Sequence, residues 1–146
     1  MDRIKKRQSR GLCLQLLFAN NFSENNFHQL LSNFFSDIDK DIEEPKFNDD
    51  QINYASKLYS IVLKEQEKLD ELIEKKLVNW EMSRLATMDR IILRMSIGEM
   101  LFVDDIPPKV SITEAVEIAK EYSSKDSSGF INGIMDAIYN EHCIAK

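Results

Sequence analysis

A chain of 146 residues, 43% of them hydrophobic, is the size of one ordinary domain and can bury a core without cross-links. Cys13 and Cys143 lack metal-ligand spacing and are expected as reduced thiols, no apolar run reaches the roughly 18 residues of a membrane helix, and the start has no signal-cleavage site, so a soluble cytoplasmic protein is expected. The formal net charge is −6, yet the first ten residues carry Arg3, Lys5, Lys6, Arg7 and Arg10 against one acid, a local +4 that leaves about −10 on the remainder.

Apolar residues recur at helical spacing almost throughout, no stretch alternates strictly, and glycine and proline are scarce, so the predicted fold class is all-α. A first helix is expected over residues 3–20 and a second over 25–35. The acidic connection "SDIDKDIEEPKFND" follows, and Pro45 stops any helix there. From residue 50 to 77, Ile52, Ala55, Leu58, Tyr59, Val62, Leu69, Leu72, Ile73 and Leu77 fall at three- and four-residue steps opposite a charged face that includes Glu71 and Lys75: a long surface helix. "MDRIILRMSIGEMLFV", residues 88–103, is apolar on nearly every side, as a helix enclosed by others would be. Pro107 and Pro108 break the chain, Ser111 with Glu114 reads as a capping box, and "EAVEIAKEY" continues as a helix. "SSKDSSG" reads as a polar connection to a last helix, "FINGIMDAIYNEH". The simplest organisation is one domain of two helical layers without internal repeats.

Catalytic chemistry is not visible. His28 and His142, the only histidines, have no partner at ligand spacing, and no phosphate loop, nucleophile elbow or acidic metal cluster occurs. "DIDKD" repeats the first alternating acids of a calcium loop but lacks its glycine and distant glutamate. No metal, no cofactor and no enzyme activity are expected. Arg90 and Arg94, four residues apart, read as ion-paired structure, with Glu99 or Asp89 as partners.

The basic arm remains. At 100° per residue, Arg3, Lys6, Arg7 and Arg10 share an arc of about 100° on the first helix, with Lys5 off it. Four cations on one face repel one another, a cost that an anion would offset. Phe18 lies eight residues beyond Arg10, about 12 Å along the axis, within reach of a base on a strand whose phosphates the arm holds. On these residues alone, RNA binding, a solvated N-terminus and, for Phe18, core packing all stay open. Arg7 and Arg10 are expected to face solvent.

The arm with "RGLCLQLLF", then "NWEMSRLATMDRIILRMSIGEML", "DIPPKVSITEAVEIAKEY" and "DSSGFINGIMD", resembles in order and spacing the NusB family of bacterial transcription antitermination factors along nearly the whole chain. The resemblance implies a single all-helical RNA-binding domain over 1–146, with subdomains at about 1–78 and 79–146 and no catalysis. It implies binding of boxA-type single-stranded RNA jointly with the ribosomal protein NusE, and entry into an antitermination complex on RNA polymerase during ribosomal RNA transcription. It carries RNA contact onto Arg7 and Arg10 of the arm, whose arc adds Arg3 and Lys6 as expected RNA-binding residues, onto the aromatic Phe18, and onto Asp126, Ser127 and Phe130 of the last signature, where Phe130 would stack a base and Ser127 exchange a hydrogen bond. Core packing stays open for Phe130, and Gly133 is expected to permit close helix packing.

The sequence departs from the family at Cys13 and Leu16, where alanine is frequent, and at Gly129, where a basic residue is frequent. Two other functions also fit the residues. One is the NusB-like accessory domain fused to RNA cytosine methyltransferases, whose catalytic region is expected to be missing because the chain ends at Lys146. The other is a protein-only helical adaptor, which leaves the arm unexplained.

Overall fold

The computed structural model describes residues 1–21, 29–33, 47–78 and 82–144. Among these, α1 spans Arg3–Asn20, α2 is the helical stretch 29–33, α3 spans Asp49–Lys76, a single 3-10 turn covers Met82–Arg84, α4 spans Thr87–Phe102, α5 Pro108–Tyr122 and α6 Lys125–His142. No strand occurs among the described residues, as the helical periodicity predicts. The acidic connection with its "DIDKD" run, Pro45, His28 and most of the second expected helix lie outside the described residues. The chain divides into two compact units, Met1–Tyr59 and Ser60–Lys146, with the boundary inside α3.

In the first unit, Asp2 caps α1 by accepting from the Lys5 amide at 2.8 Å. Every residue from Ser9 to Leu14 is buried, and Leu16 and Leu17 follow, so most of the circumference of α1 beyond its second turn is withdrawn from water. α3 opens on a reciprocal pair. Asn48 Oδ1 accepts from the Gln51 amide at 2.9 Å, and Gln51 Oε1 accepts from the Asn48 amide at 3.0 Å. This is the capping-box geometry, with asparagine and glutamine in the two roles. Gln51, itself buried, then uses Nε2 to donate to Lys5 O at 3.2 Å and to Gln8 Oε1 at 2.8 Å, which fastens the start of α3 to the arm-bearing turns of α1. Burial pushes the Tyr59 hydroxyl above its ordinary range, and the neighbouring Cys13 thiol adds to the shift.

In the second unit α4, α5 and α6 pack on one another. All of α4 from Ile91 to Met100 is buried except Arg94, the pattern expected of an enclosed helix. Gly98 is a close-approach glycine: a Cβ there would meet Ile61 Cγ2 at 3.1 Å and Leu69 Cδ1 at 3.8 Å. Arg94 grips Asp70 with two bonds, Nε to Oδ1 at 2.7 Å and Nη2 to Oδ2 at 2.9 Å, so its partner is on α3 and is neither Glu99 nor Asp89. Arg90 Nε is buried and meets no hydrogen-bond acceptor among the described residues.

Three local expectations need correction. Ser111 does not cap a helix, because α5 already begins at Pro108, where proline's fixed φ suits the first helical position and its missing N–H costs nothing. Ser111 lies buried one turn in and donates through Oγ to Glu99 Oε1 at 2.7 Å. The run "SSKDSSG" is not a connection but the entry into α6: Ser124 is its N-cap, accepting from the Ser127 amide at 3.0 Å, and residues 125–129 are helical. Gly133 permits no close packing among the described residues, since a Cβ there meets none of them within 4 Å. With open space and a mid-helix position, Gly133→Ala is expected to raise stability by about 0.5–1 kcal/mol through helix propensity. Urea denaturation checks this, and a loss of stability would show that the backbone there must stay bare.

Candidate nucleic-acid interface

The arm of the first unit is more firmly held than a frayed terminus. Arg3 and Lys5 are exposed and Lys6 and Arg7 half-buried. Arg10, expected at the surface, is only 3% exposed, which corrects that expectation. Its Cζ lies 6.0 Å from the Tyr54 ring centroid and Lys6 Nζ lies 5.5 Å from the same ring, so two of the four arc cations converge on one aromatic of α3. The electron-rich ring face offsets part of their repulsion and of the cost of burying a guanidinium. The arm's cations also stand near the positive end of the helix dipole, where Asp2 at the N-cap is the neighbouring acid. Arg3 is exposed and Lys6 and Arg7 are half-buried, so these three cations reach the surface of the arm. Phe18 is 36% exposed while Leu12, Leu14, Leu16 and Leu17 are buried, so the ring is the apolar side chain that this part of α1 leaves at the surface.

In the second unit the last signature forms a wall. Because α6 starts at Lys125, Asp126, Ser127 and Phe130 stand at helical spacing of three and four residues and share one face. With Arg84, Leu85, Ala86 and Asp89 they line a cavity of about 280 Å³. Phe130 is half-buried and also borders a second hollow of about 400 Å³ made by Lys76, Leu77, Val78, Gly129, Gly133, Ile134 and Ala137. Among the described residues, one ring therefore borders two hollows, whereas a core residue is closed in on all sides. Beside the second hollow, Lys76 pairs with Glu141, and that hydrogen bond, with the lysine's charge, holds the Glu141 carboxyl below its ordinary range.

The floor of the first cavity was not apparent from sequence. Asp89, 8% exposed, accepts from Ser123 Oγ at 2.6 Å on Oδ1 and from Ser127 Oγ at 2.9 Å on Oδ2. Ser124 Oγ donates to Ser127 Oγ at 2.9 Å. Three serines of the α5–α6 junction are thus organised by one carboxylate from the first turn of α4. The sequence signal is Ser124 and Ser127 at N-cap spacing, which a reading of the run as a loop conceals. Among the described residues there is no group of three or more His, Cys, Asp or Glu able to hold a metal ion, and no helix long and apolar enough to cross a membrane.

The sequence model described as the NusB family matches residues 7–140. The chain belongs to the NusB family. A transcription antitermination protein NusB from Chloroherpeton thalassium is 40% identical over 139 residues, which cover 94% of this chain, and this chain spans 63% of that relative's length. The fold is similar to that of NusB from T. maritima, with a TM-score of 0.81 at 31% identity over 96% of this chain and 94% of that one. It is also similar to a chain in the crystal structure of the antitermination factors NusB and NusE in complex with dsRNA, with a TM-score of 0.80 at 25% identity over 97% of this chain and all of that one. The NusB match contains both surfaces: Arg7, Arg10 and Phe18 at its start and Asp126, Ser127 and Phe130 near its end.

Proposed function

We propose that this NusB-family protein is a cytoplasmic antitermination factor that binds boxA-type RNA together with the ribosomal protein NusE and joins the antitermination complex on RNA polymerase during ribosomal RNA transcription. It acts by binding and carries out no catalysis. The observation that carries the reading is the likeness, over almost the full chain, to a protein solved with NusE and RNA. In this reading Arg3, Lys6 and Arg7 hold phosphates, Phe18 offers a stacking face, and Asp126, Ser127 and Phe130 contact RNA on the second unit. Arg10 contributes through its charge and by fixing the arm on Tyr54.

A chain with a net charge of −6 and one short basic arm repels RNA at long range and neutralises few phosphates alone. A basic protein partner offsets the acidic surface and brings RNA contacts of its own. Binding of NusE and of RNA is therefore expected to be positively and reciprocally coupled, by about 1 kcal/mol, or fivefold in affinity. Calorimetric titration of boxA RNA into the protein, with and without saturating NusE, measures it. Equal affinities in the two titrations would show that the protein binds RNA unaided, and absence of binding in both would overturn the reading.

A further inference from the structure

The hydroxyl protons around Asp89 can be assigned by counting. Each serine has one proton to donate and two lone pairs to accept with. The Ser123 proton goes to Asp89 Oδ1 at 2.6 Å, so its 3.1 Å approach to Ser127 Oγ is a contact without a proton to spare. The Ser127 proton goes to Asp89 Oδ2 at 2.9 Å, because a carboxylate accepts more strongly than a hydroxyl. Ser124 gives its proton to Ser127 Oγ and takes the Ser127 amide on its own oxygen. Ser127 Oγ is left with one lone pair and no proton, and it lines the cavity beside Phe130. Among the described residues, the other polar side chains there are the carboxylates of Asp89 and Asp126, which accept, and the exposed Arg84, which donates.

We propose that Asp89 is a positioning residue that turns Ser127 Oγ into a hydrogen-bond acceptor toward this cavity, so that the cavity selects nucleobases carrying an exocyclic amine over those with a carbonyl oxygen at the same place. The proposal rests on the reading of the protein as an RNA binder and adds a specificity to it. A base stacked on Phe130 with its amine toward Ser127 and the two carboxylates satisfies their lone pairs. A 4-oxo or 6-oxo base in the same place sets its oxygen against Ser127 Oγ and the two carboxylates; turning that oxygen to the exposed Arg84 still leaves those acceptors unpaired, which is the costly outcome. Carboxylates accept from the cytosine amine in the same manner in nucleic-acid readout generally.

Matched pairs isolate the effect from ring size: cytidine against uridine, and adenosine against inosine. Each nucleoside is titrated into the full-length protein while the amide resonances of Ser127 and Phe130 are followed, and boxA RNA binding with NusE is measured on the same samples. The amino member of each pair is expected to bind about tenfold more tightly. Ser127→Ala, which removes the acceptor and retains a good helix former, is expected to erase most of that ratio. Asp89→Asn, which removes the charge and frees the proton order, is expected to reduce it. The ratio of two affinities on one sample is insensitive to the folded fraction, so a purely structural role for either residue would not move it. Equal binding of the members of each pair, a ratio unchanged in Ser127→Ala, or RNA binding with no nucleoside perturbation at Ser127 and Phe130 would overturn the proposal and leave the RNA-binding reading standing. Loss of RNA binding in the native protein would end both.

Discussion

Arg10→Glu is expected to lose about 3 kcal/mol of stability or more, whereas Arg7→Glu keeps the fold and weakens RNA binding. The two arginines lie on the same arc of α1, yet Arg10 is 3% exposed with its guanidinium over Tyr54 and Arg7 is half-buried. A glutamate at position 10 places an anion where water is excluded and the neighbouring ring presents its negative face, a penalty of the size seen when a buried charge loses its compensation. At position 7 the carboxylate can turn to solvent, so stability is expected to stay within about 0.5 kcal/mol. Its effect appears instead in the salt dependence of RNA binding. Each lost phosphate contact flattens the slope of log affinity against log salt by roughly 0.7 for single-stranded RNA. Urea denaturation of both variants, with salt titrations of RNA binding for the folded one, separates the two roles. A native-like midpoint for Arg10→Glu would show that the guanidinium is not held against Tyr54, and an unchanged slope for Arg7→Glu would remove Arg7 from the phosphate contacts.

Arg7 and Arg10 also show where sequence reading reaches its limit. Their shared arc follows from helical periodicity, which acts within one helix and is visible in the spacing. Whether a cation on that arc faces water or lies over Tyr54 depends on a residue 44 positions further on, and spacing carries no information about that. The same division runs through the fold. Long apolar periods define α1, α3 and α4 to within a residue at either end, and the end of α5, because burying an apolar stripe is what orders such helices. The helix starts were harder to read. Ser111 with Glu114 has capping-box spacing, but Pro108 is already a good first helical residue, and Glu99 supplies Ser111 with an acceptor. The true reciprocal box uses Asn48 and Gln51, which perform the same hydrogen bonding with amides. The serine run at 123–128 reads as a loop because serine is a poor helix former, yet at an N-terminus its hydroxyls serve as caps. Moving the start of α6 back to Lys125 is what brings Asp126, Ser127 and Phe130 onto one face. The carboxylate that organises that face, Asp89, comes from another helix, so no local motif could announce it.

Phe130→Leu is expected to reduce boxA RNA affinity by about 2 kcal/mol while shifting the unfolding midpoint little. The ring is half-buried between hollows of about 280 and 400 Å³. Among the described residues neither hollow closes around it, so leucine is expected to retain most of the apolar contact made at this position. What leucine cannot supply is a planar face, and base-on-ring stacking accounts for roughly 1–3 kcal/mol per base. The effect on binding is therefore larger than the effect on folding, the reverse of the result for a core phenylalanine, where truncation leaves a cavity that the surroundings fill only in part. Phe130→Tyr supplies the control: it keeps the stacking face, its hydroxyl can reach open space, and it is expected to hold RNA nearly as well as the native residue. Fluorescence anisotropy of labelled boxA RNA in the presence of NusE, paired with thermal unfolding of each variant, gives both quantities. If leucine lowers the unfolding midpoint by many degrees and leaves RNA affinity intact, Phe130 is packing between two helices and the base must stack elsewhere. If leucine and tyrosine weaken RNA equally, the ring's shape and not its face is what the RNA reads.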